Sequence, residues 1–245
     1  MRNALAFILV AGLLGGCASK PPVDPDGIWI NQNAIDTAAK GANLRQSLLA
    51  NGPNLEWNLN TKGGQATFSN GFEMGEGKLQ PRKEGGWDVD FYGNYKESLS
   101  IKGADLTQAA SDSGSEQHFV KAPIPAEPGA AQGSTFERAL YTAYMGGNWK
   151  ILDGPGKGGV ATFSPLGQVT GLAGIDRYAL CLAGDCAAMS GEYDSMWLEM
   201  GGQGNAFIFV RKGDQLEILQ ALNQAQNSDM PDLHPGVRRW LLEKK

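Results

Sequence analysis

Two stretches of this 245-residue chain carry almost the same eight residues, and this repetition restricts the possible folds more than any other feature. Residues 62–69 read Lys-Gly-Gly-Gln-Ala-Thr-Phe-Ser, and residues 157–164 read Lys-Gly-Gly-Val-Ala-Thr-Phe-Ser. Trp57 and Trp149 each open a strand-like segment before these octapeptides. The octapeptides begin 95 residues apart, which is too long a period for a solenoid and predicts two related domains of ordinary size.

A second pair of similar segments and the composition both favour short strands. Residues 99–109 and residues 209–221 each read as a strand, a Lys-Gly turn and another strand. The chain contains 34 glycines together with scattered Trp, Phe and Tyr, a combination typical of short strands joined by tight turns. We therefore predict an α+β, mainly β fold class.

Helix-like and linker-like segments set the predicted domain boundaries. Residues 34–50 place their apolar side chains mostly on one face, and residues 136–145 follow a serine and a threonine suited to a helix cap. Each domain is therefore expected to be preceded by a helix. Pro- and Gly-rich composition predicts a linker at residues 116–134, between a first domain at residues 28–115 and a second at residues 135–245.

The C-terminal residues 235–245 predict a short helix that begins at Pro235. Val237, Trp240 and Leu241 share one face of that helix because their spacings are three and four residues. We expect the helix to pack on the second domain as a cap. The alternative is a peripheral helix that binds a membrane or a partner.

The second half also carries a recognisable family motif. Residues 161–164 read Ala-Thr-Phe-Ser, residues 167–178 read Gly-Gln-Val-Thr-Gly-Leu-Ala-Gly-Ile-Asp-Arg-Tyr, and residues 149–152 read Trp-Lys-Ile-Leu. This series resembles the core of the META (HslJ-like) domain family, with Ile175 and Asp176 where the family has Cys and Asn. The resemblance covers about residues 147–221, with a fainter copy at about residues 55–109. It implies small β-rich, half-barrel-like domains and no catalytic residues.

The N-terminus predicts export. Arg2 precedes the apolar residues 4–14, a stretch about half the roughly 20 residues needed to span a bilayer, as in a secretory signal. Leu-Gly-Gly-Cys at residues 14–17 resembles the lipobox of bacterial lipoproteins, in which Cys17 becomes the lipid-modified first residue of the mature chain. Ala18 at the next position favours the outer membrane in that family.

These features define a signal peptide at residues 1–16 and a lipidated tether at residues 17–27, where three prolines favour an extended chain. The net charge is −5, and an acidic chain without a basic stripe is a poor nucleic-acid binder. Anionic headgroups would repel it. The predicted membrane partner is therefore reached only through the lipid on Cys17.

Cys181 and Cys186 are an even pair in an oxidising compartment, so they are predicted to form a disulfide. Residues 182–185 between them read as a hairpin tip that would place the two cysteines on adjacent strands. A redox-active or metal-binding pair is the alternative. No third or fourth soft ligand accompanies the pair in the sequence, and the chain has only two His.

No arrangement of residues predicts catalysis. His118 and His234 lie far apart in loop-like segments without a recognised Ser, Cys or carboxylate partner. The segment from Glu192 to Glu199 mixes acidic and aromatic residues, which indicates either a binding face or an alternating strand with a wet outer side. Arg177 follows a Gly-rich turn and is suited to pair with a nearby carboxylate.

We expect an outer-membrane lipoprotein that faces the periplasm and binds or scaffolds an unknown envelope protein or ligand. It is expected not to be an enzyme and to need no metal or cofactor. One alternative is an envelope inhibitor of a protease or lysozyme, with the Cys181–Cys186 loop filling the target's active site. Another is a carrier of lipid or of a small hydrophobic ligand, which would require a continuous apolar cavity.

Overall fold

Two antiparallel barrels joined by helices form the protein in a computed structural model that describes residues 23–40, 43–93, 95–226 and 230–245. The first barrel is closed, and its eight strands follow one another around it. They are β1 (Gly27–Ile30), β2 (Glu56–Asn60), β3 (Gln65–Ser69), β4 (Met74–Pro81), β5 (Trp87–Asp90), β6 (Lys96–Lys102), β7 (Asp105–Gln108) and β8 (Gln117–Lys121).

The second sheet also has eight strands, in the order β11-β10-β9-β16-β15-β14-β13-β12. They are β9 (Gly147–Asp153), β10 (Val160–Phe163), β11 (Val169–Thr170), β12 (Arg177–Leu180), β13 (Ser195–Met200), β14 (Gln203–Lys212), β15 (Gln215–Asn223) and β16 (Leu233–Lys244). The ends of this sheet meet where the Tyr178 N–H donates to the Gly167 carbonyl at 2.8 Å and the Val169 N–H donates to the Asp176 carbonyl at 2.8 Å. The α+β, mainly β class is therefore confirmed, although the first sheet is a closed barrel and not the expected half-barrel.

The two barrels have the same cyclic strand order when β16 is matched to β1. β1 pairs with β2 and β8, and β16 pairs with β9 and β15. β2 and β9 are the strands that carry Trp57 and Trp149. The strand beside them is therefore β1, the first strand, in one half and β16, the last strand, in the other.

The repeated octapeptides occupy corresponding strands. Trp57 on β2 packs against Phe68 on β3 with ring centroids 5.6 Å apart, and Trp149 on β9 packs against Phe163 on β10 at 6.4 Å. The registers differ, since Trp57 pairs with Phe68 whereas Trp149 pairs with Ala161. The second pair of similar segments, residues 99–109 and 209–221, does not occupy corresponding strands. It falls on β6–β7 in the first barrel and one strand later, on β14–β15, in the second.

Within the described residues, four helices connect or cover the barrels: α1 (Gln32–Lys40), α2 (Leu44–Leu49), α3 (Ser134–Tyr144) and α4 (Gly184–Ser190). The single helix predicted at residues 34–50 is wrong, because Asn43 caps a separate helix α2 by accepting the Gln46 N–H at 2.8 Å. β1 also precedes α1, so the first barrel begins with a strand.

The hydrophobic core crosses the boundary between the two halves. Ile35 on α1 and Leu48 on α2 belong to the same buried cluster as Leu140 on α3 and the inner side chains of the second barrel. The first barrel has its own core, which includes Trp29, Trp57, Leu59, Val89, Leu99 and Phe119. The halves are thus joined by a buried apolar interface and not only by the chain between them.

Two predicted boundaries are corrected. The predicted linker 116–134 begins too early, since residues 117–121 form β8 and its Phe119 is fully buried. The predicted C-terminal helix is strand β16, in which Trp240 and Leu242 point inward with a period of two while Val237 is exposed. Pro235 is tolerated because β9 pairs only with residues 241–244, which leaves β15 as the one neighbour at Pro235.

The start of the described chain is attached to the first barrel. The Trp29 indole N–H donates to the Pro25 carbonyl at 2.8 Å, and the Asp26 carboxylate accepts the Thr61 N–H at 2.6 Å. The predicted tether at residues 17–27 is therefore fixed from residue 24 onward. The predicted signal peptide and Cys17 lie outside the described residues.

Candidate functional site

The predicted disulfide is confirmed, but the hairpin predicted around it is wrong. Cys181 and Cys186 are joined by an S–S bond of 2.07 Å. Cys181 directly follows β12, and Cys186 lies in the first turn of α4. Gly184, with φ of +66°, begins the helix where a hairpin turn was expected. The disulfide therefore fastens α4 to the end of β12.

The loop held by this disulfide packs against the first barrel. Leu182 is buried, and an added Cβ at Gly71 in the β3–β4 turn would lie 2.8 Å from the Leu182 Cβ. An added Cβ at Gly184 would lie 2.0 Å from the Phe72 ring. The loop is therefore part of the interface between the halves and does not project into solvent as a rigid finger.

An apolar cavity of about 340 Å³ opens on the outer face of the second barrel beside α4. None of the described residues that line it is charged, and its walls come from β12, β13, β14, α4 and the segment before β16. The lining residues are Ala179, Leu180, Cys181, Cys186, Met189, Ser195, Met196, Trp197, Ala206, Pro231 and Leu233. Its volume lies at the low end of the roughly 300–1,000 Å³ typical of small-ligand sites.

Trp197 is a large aromatic side chain of this cavity that stays half-exposed, with 46% of its surface accessible. Alternation along β13 points Met196 and Leu198 inward and leaves Trp197 on the outer face. Its cross-strand neighbours are Ala179 and Ala206. Two small side chains flank one large aromatic side chain, and this difference in size leaves room for an apolar group.

A second, polar cavity of about 290 Å³ adjoins the first, and Ala179 lines both. It lies between α3, the segment before α3 and the seam where β11 meets β12. Its lining residues are Ala126, Glu127, Ala130, Ser134, Thr135, Glu137, Arg138, Tyr141, Pro165, Leu166, Gly167, Arg177, Tyr178 and Ala179. We call the two cavities together the β12 groove.

In the polar cavity, both arginines have a carboxylate partner, whereas one of the two glutamates has no cationic partner among the described residues. Arg138 lies 3.6 Å from the Glu127 carboxylate, and Arg177 lies 3.2 Å from the Glu199 carboxylate, as the sequence predicted for a carboxylate partner of Arg177. Among the described residues, Glu137 has no cationic side chain within ion-pair distance. Burial raises the pKa of the Glu137 carboxyl, and the nearby Glu56 carboxylate raises it further.

Two deeply buried carboxylates near the groove have structural roles. Glu56 on β2 accepts the N–H of Gly133 at 2.9 Å and of Phe136 at 2.8 Å, so a carboxylate of the first barrel caps helix α3. Asp194 in the second half accepts the N–H of Leu44 at 2.5 Å and of Arg45 at 3.0 Å, which caps α2. Burial raises the pKa of both carboxyls, and the backbone N–H donors oppose that rise.

Arg45 completes this exchange between the halves. Its guanidinium lies 3.8 Å from Asp194 and donates to the carbonyls of Ala187 and Tyr193, at 3.1 Å and 2.7 Å, near the end of α4. A cation at a helix C-terminus is favourable. The first half thus supplies the cation for α4, and the second half supplies the anion for α2. Two of the acidic residues expected near Trp197 have structural roles, because Asp194 caps a helix and Glu199 pairs with Arg177.

The two histidines do not come together. His118 lies 3.2 Å from Glu116 on the first barrel, and His234 lies 3.1 Å from Asp232 on the second. Within the described parts of the chain, no three His, Cys, Asp or Glu side chains gather as metal ligands would. None of the helices described has the length and apolarity needed to cross a bilayer.

Comparison with protein-family models, with curated proteins and with solved structures finds no match to this chain. The resemblance to the META family therefore stays a prediction. Fold and groove define a mainly β protein of two barrels with an apolar cavity on the outer wall of the second.

The sequence predicted the disulfide and gave the segment from Glu192 to Glu199, which contains Trp197, as either a binding face or an alternating strand, but it did not predict Ala179, Glu137 or the groove. Ala179 follows the family-like motif directly and carries no chemical signal of its own. Glu137 looks like an ordinary first-turn helix residue, since acidic side chains are favoured there. Only the long-range packing of α3 against the β11–β12 seam shows that it lines a cavity.

Proposed function

We propose that this protein is a lipid-anchored, periplasm-facing lipoprotein of the outer membrane that binds an apolar group of a partner in the β12 groove. The anchoring part rests on the lipobox-like residues 14–17, and the binding part rests on the groove. The single observation that carries the binding role is the uncharged cavity beside the half-exposed Trp197. Exposed apolar cavities of this kind mark interaction sites.

The attachment of the tether supports a consistent orientation. β1 begins at the tether and ends at the helices, so these two features lie at opposite ends of that strand. The helices pack against the second barrel, which carries the groove. Residues 17–22 reach at most about 20 Å when fully extended. A lipid on Cys17 would thus hold the first barrel close to the membrane and leave the groove on the far side.

The other sequence-based hypotheses receive less support. The inhibitor hypothesis used the Cys181–Cys186 loop as an exposed plug, but Leu182 of that loop is buried against the first barrel. The carrier hypothesis required a continuous internal cavity, but Trp29, Trp57 and Phe119 fill the first barrel and Trp149, Phe163 and Phe209 fill the second. Binding at the outer wall is the function that the geometry favours.

Titration with N-phenyl-1-naphthylamine tests this proposal, because this neutral dye brightens in apolar sites. We expect saturable one-to-one binding with a Kd of about 10–100 μM. Ala206→Glu places a charge in the cavity and should weaken binding at least tenfold. Val210→Glu makes the same change further along β14, outside the cavity lining, and serves as the matched control. Equal dye binding by both variants would refute the proposed site.

A further inference from the structure

We propose that the β12 groove recognises a segment of a partner polypeptide that carries a basic side chain close to a bulky apolar one. The inference rests on the proposed function and adds the chemistry of the ligand. The apolar side chain would occupy the cavity beside Trp197. The basic side chain would occupy the adjoining polar cavity and pair with Glu137.

The geometry requires two different groups close together. Ala179 lines both cavities, so the two binding positions meet at a single residue of β12. One cavity has no charged lining residue, and the other is lined by four charged side chains, Glu127, Glu137, Arg138 and Arg177. A ligand that fills both must therefore be apolar on one side and charged or polar on the other.

The pairing of charges selects a cation. Both arginines of the polar cavity already face carboxylates, namely Glu127 and Glu199. Glu137 is the lining carboxylate that has no cationic partner among the described residues. A half-buried carboxylate in this position gains most from a ligand ammonium or guanidinium. The net charge of −5 on the whole chain also favours the approach of a basic partner.

The sizes of the cavities favour a polypeptide over a lipid. Cavities of about 340 and 290 Å³ each have room for about one large side chain. Large buried side chains, including Trp29 and Trp57 in the first barrel and Trp149 and Phe163 in the second, occupy the two barrel cores and leave acyl chains little room there. Tyr141 and Tyr178 also line the polar cavity and stack on each other with ring centroids 4.9 Å apart.

Fluorescence-anisotropy titration of labelled hexapeptides tests the inference. Each peptide contains one lysine and one tryptophan separated by one, two or three residues, in an otherwise Gly-Ala sequence with blocked ends. Matched peptides replace the lysine by norleucine or the tryptophan by alanine. We expect at least one lysine–tryptophan peptide to bind about tenfold more tightly than both of its matched peptides.

Two variants of the full chain then locate the basic side chain. Glu137→Gln should weaken binding of the best lysine peptide about tenfold and leave the norleucine peptide unchanged. Glu243→Gln is the matched control, because Glu243 is an exposed carboxylate of the same barrel, on β16, and lines neither cavity. It should change neither affinity by more than twofold.

The outcomes separate this inference from the proposed function. Equal affinity for the lysine and norleucine peptides, with normal dye binding, would overturn the inference and leave the apolar site standing. Failure of every peptide and of the dye would overturn both. Displacement of the best peptide by short-chain phosphatidylethanolamine at a lower concentration than by the unlabelled peptide itself would show that a lipid amine is the preferred ligand and would also overturn it.

Discussion

Among single residues, three buried charged side chains contribute most clearly to the contact between the two halves. Glu56, Asp194 and Arg45 are each largely removed from solvent, and each is partnered by backbone groups of a helix end from the other half. A buried charge without such partners would be costly. These residues therefore hold the halves together, and Glu137 differs from them because its carboxylate faces a cavity.

The carboxyl of Glu137 should make stability depend on pH. Its pKa is raised in the folded protein by burial and by Glu56, so the folded state holds a proton that the unfolded state releases above about pH 4.3. The stabilisation is present below that pH and is lost as the pH rises through the folded-state pKa. Glu137→Gln should remove this loss and also lessen the repulsion on Glu56.

Urea unfolding at pH 4.0 and pH 7.5 measures this effect. Between these two values the wild type should lose more stability than Glu137→Gln does. A larger loss in the variant would contradict the assignment of a raised pKa to Glu137.

Cys17 is the residue on which the proposed location depends. Cys181 and Cys186 are joined to each other, so no other thiol is free to receive a lipid. Cys17→Ser should give a protein that is unlipidated and found in the soluble fraction or left unprocessed, as membrane fractionation and intact-mass measurement would show. Normal membrane attachment of the variant would remove the lipoprotein hypothesis.

At the scale of elements, the contact between α4 and the β3–β4 turn joins the groove wall to the first barrel. Gly184 begins α4 with φ of +66°, and Gly201 in the β13–β14 turn has a φ of +58°. The two glycines differ in surroundings, because a Cβ at Gly184 would meet the Phe72 ring at 2.0 Å and a Cβ at Gly201 would meet nothing within 4 Å. This difference isolates the effect of the contact.

Gly184→Ala should therefore cost about 1–3 kcal/mol more than Gly201→Ala in the free energy of unfolding, since both lose the same backbone freedom but only one is overpacked. Chemical denaturation of the two variants gives this difference. Adding Phe72→Ala should reduce the cost of Gly184→Ala. An equal loss of unfolding free energy in the two glycine variants would show that α4 does not pack closely against Phe72.

Local patterns predicted the elements whose signals lie within a few residues. The Ala-Thr-Phe-Ser strands and the disulfide follow from alternation, composition and cysteine count. β16 was mistaken for a helix because Val237, Trp240 and Leu241 fit a period of 3.6, and only the neighbouring strands β9 and β15 impose the period of two. Asn43 caps a second helix, α2, inside the segment predicted as a single helix. The break was not predicted because the first N–H groups of α2 are bound by Asp194, which lies about 150 residues away in the chain.

At the scale of the whole molecule, the structure argues against two independent domains. The buried cluster that joins α1, α2 and α3 to the second barrel is continuous, and Glu56 and Asp194 cap helices across the boundary. We expect one cooperative thermal transition in which the calorimetric and van't Hoff enthalpies agree. Two separate transitions would restore the independent domains that the linker at residues 116–134 suggested.

The whole-molecule arrangement also explains why the sequence predicted two related β-rich halves but not the order of their strands. β1 and β16 complete corresponding positions from opposite ends of the chain, and no local pattern encodes that match. The polar cavity of the β12 groove also depends on residues far apart in the chain, because the Tyr141 hydroxyl on α3 accepts the Leu180 N–H at the end of β12 at 2.9 Å.

Chemical-shift mapping of the ¹⁵N-labelled protein with the best lysine–tryptophan hexapeptide tests whether a ligand binds in the β12 groove. We expect the largest amide shifts to cluster at Ala179, Cys186, Trp197 and Ala206, together with Glu137 in the polar cavity. We also expect strands β2 to β6 of the first barrel to stay unchanged. Shifts confined to the first barrel, or no saturable shifts in the groove, would contradict binding at this site.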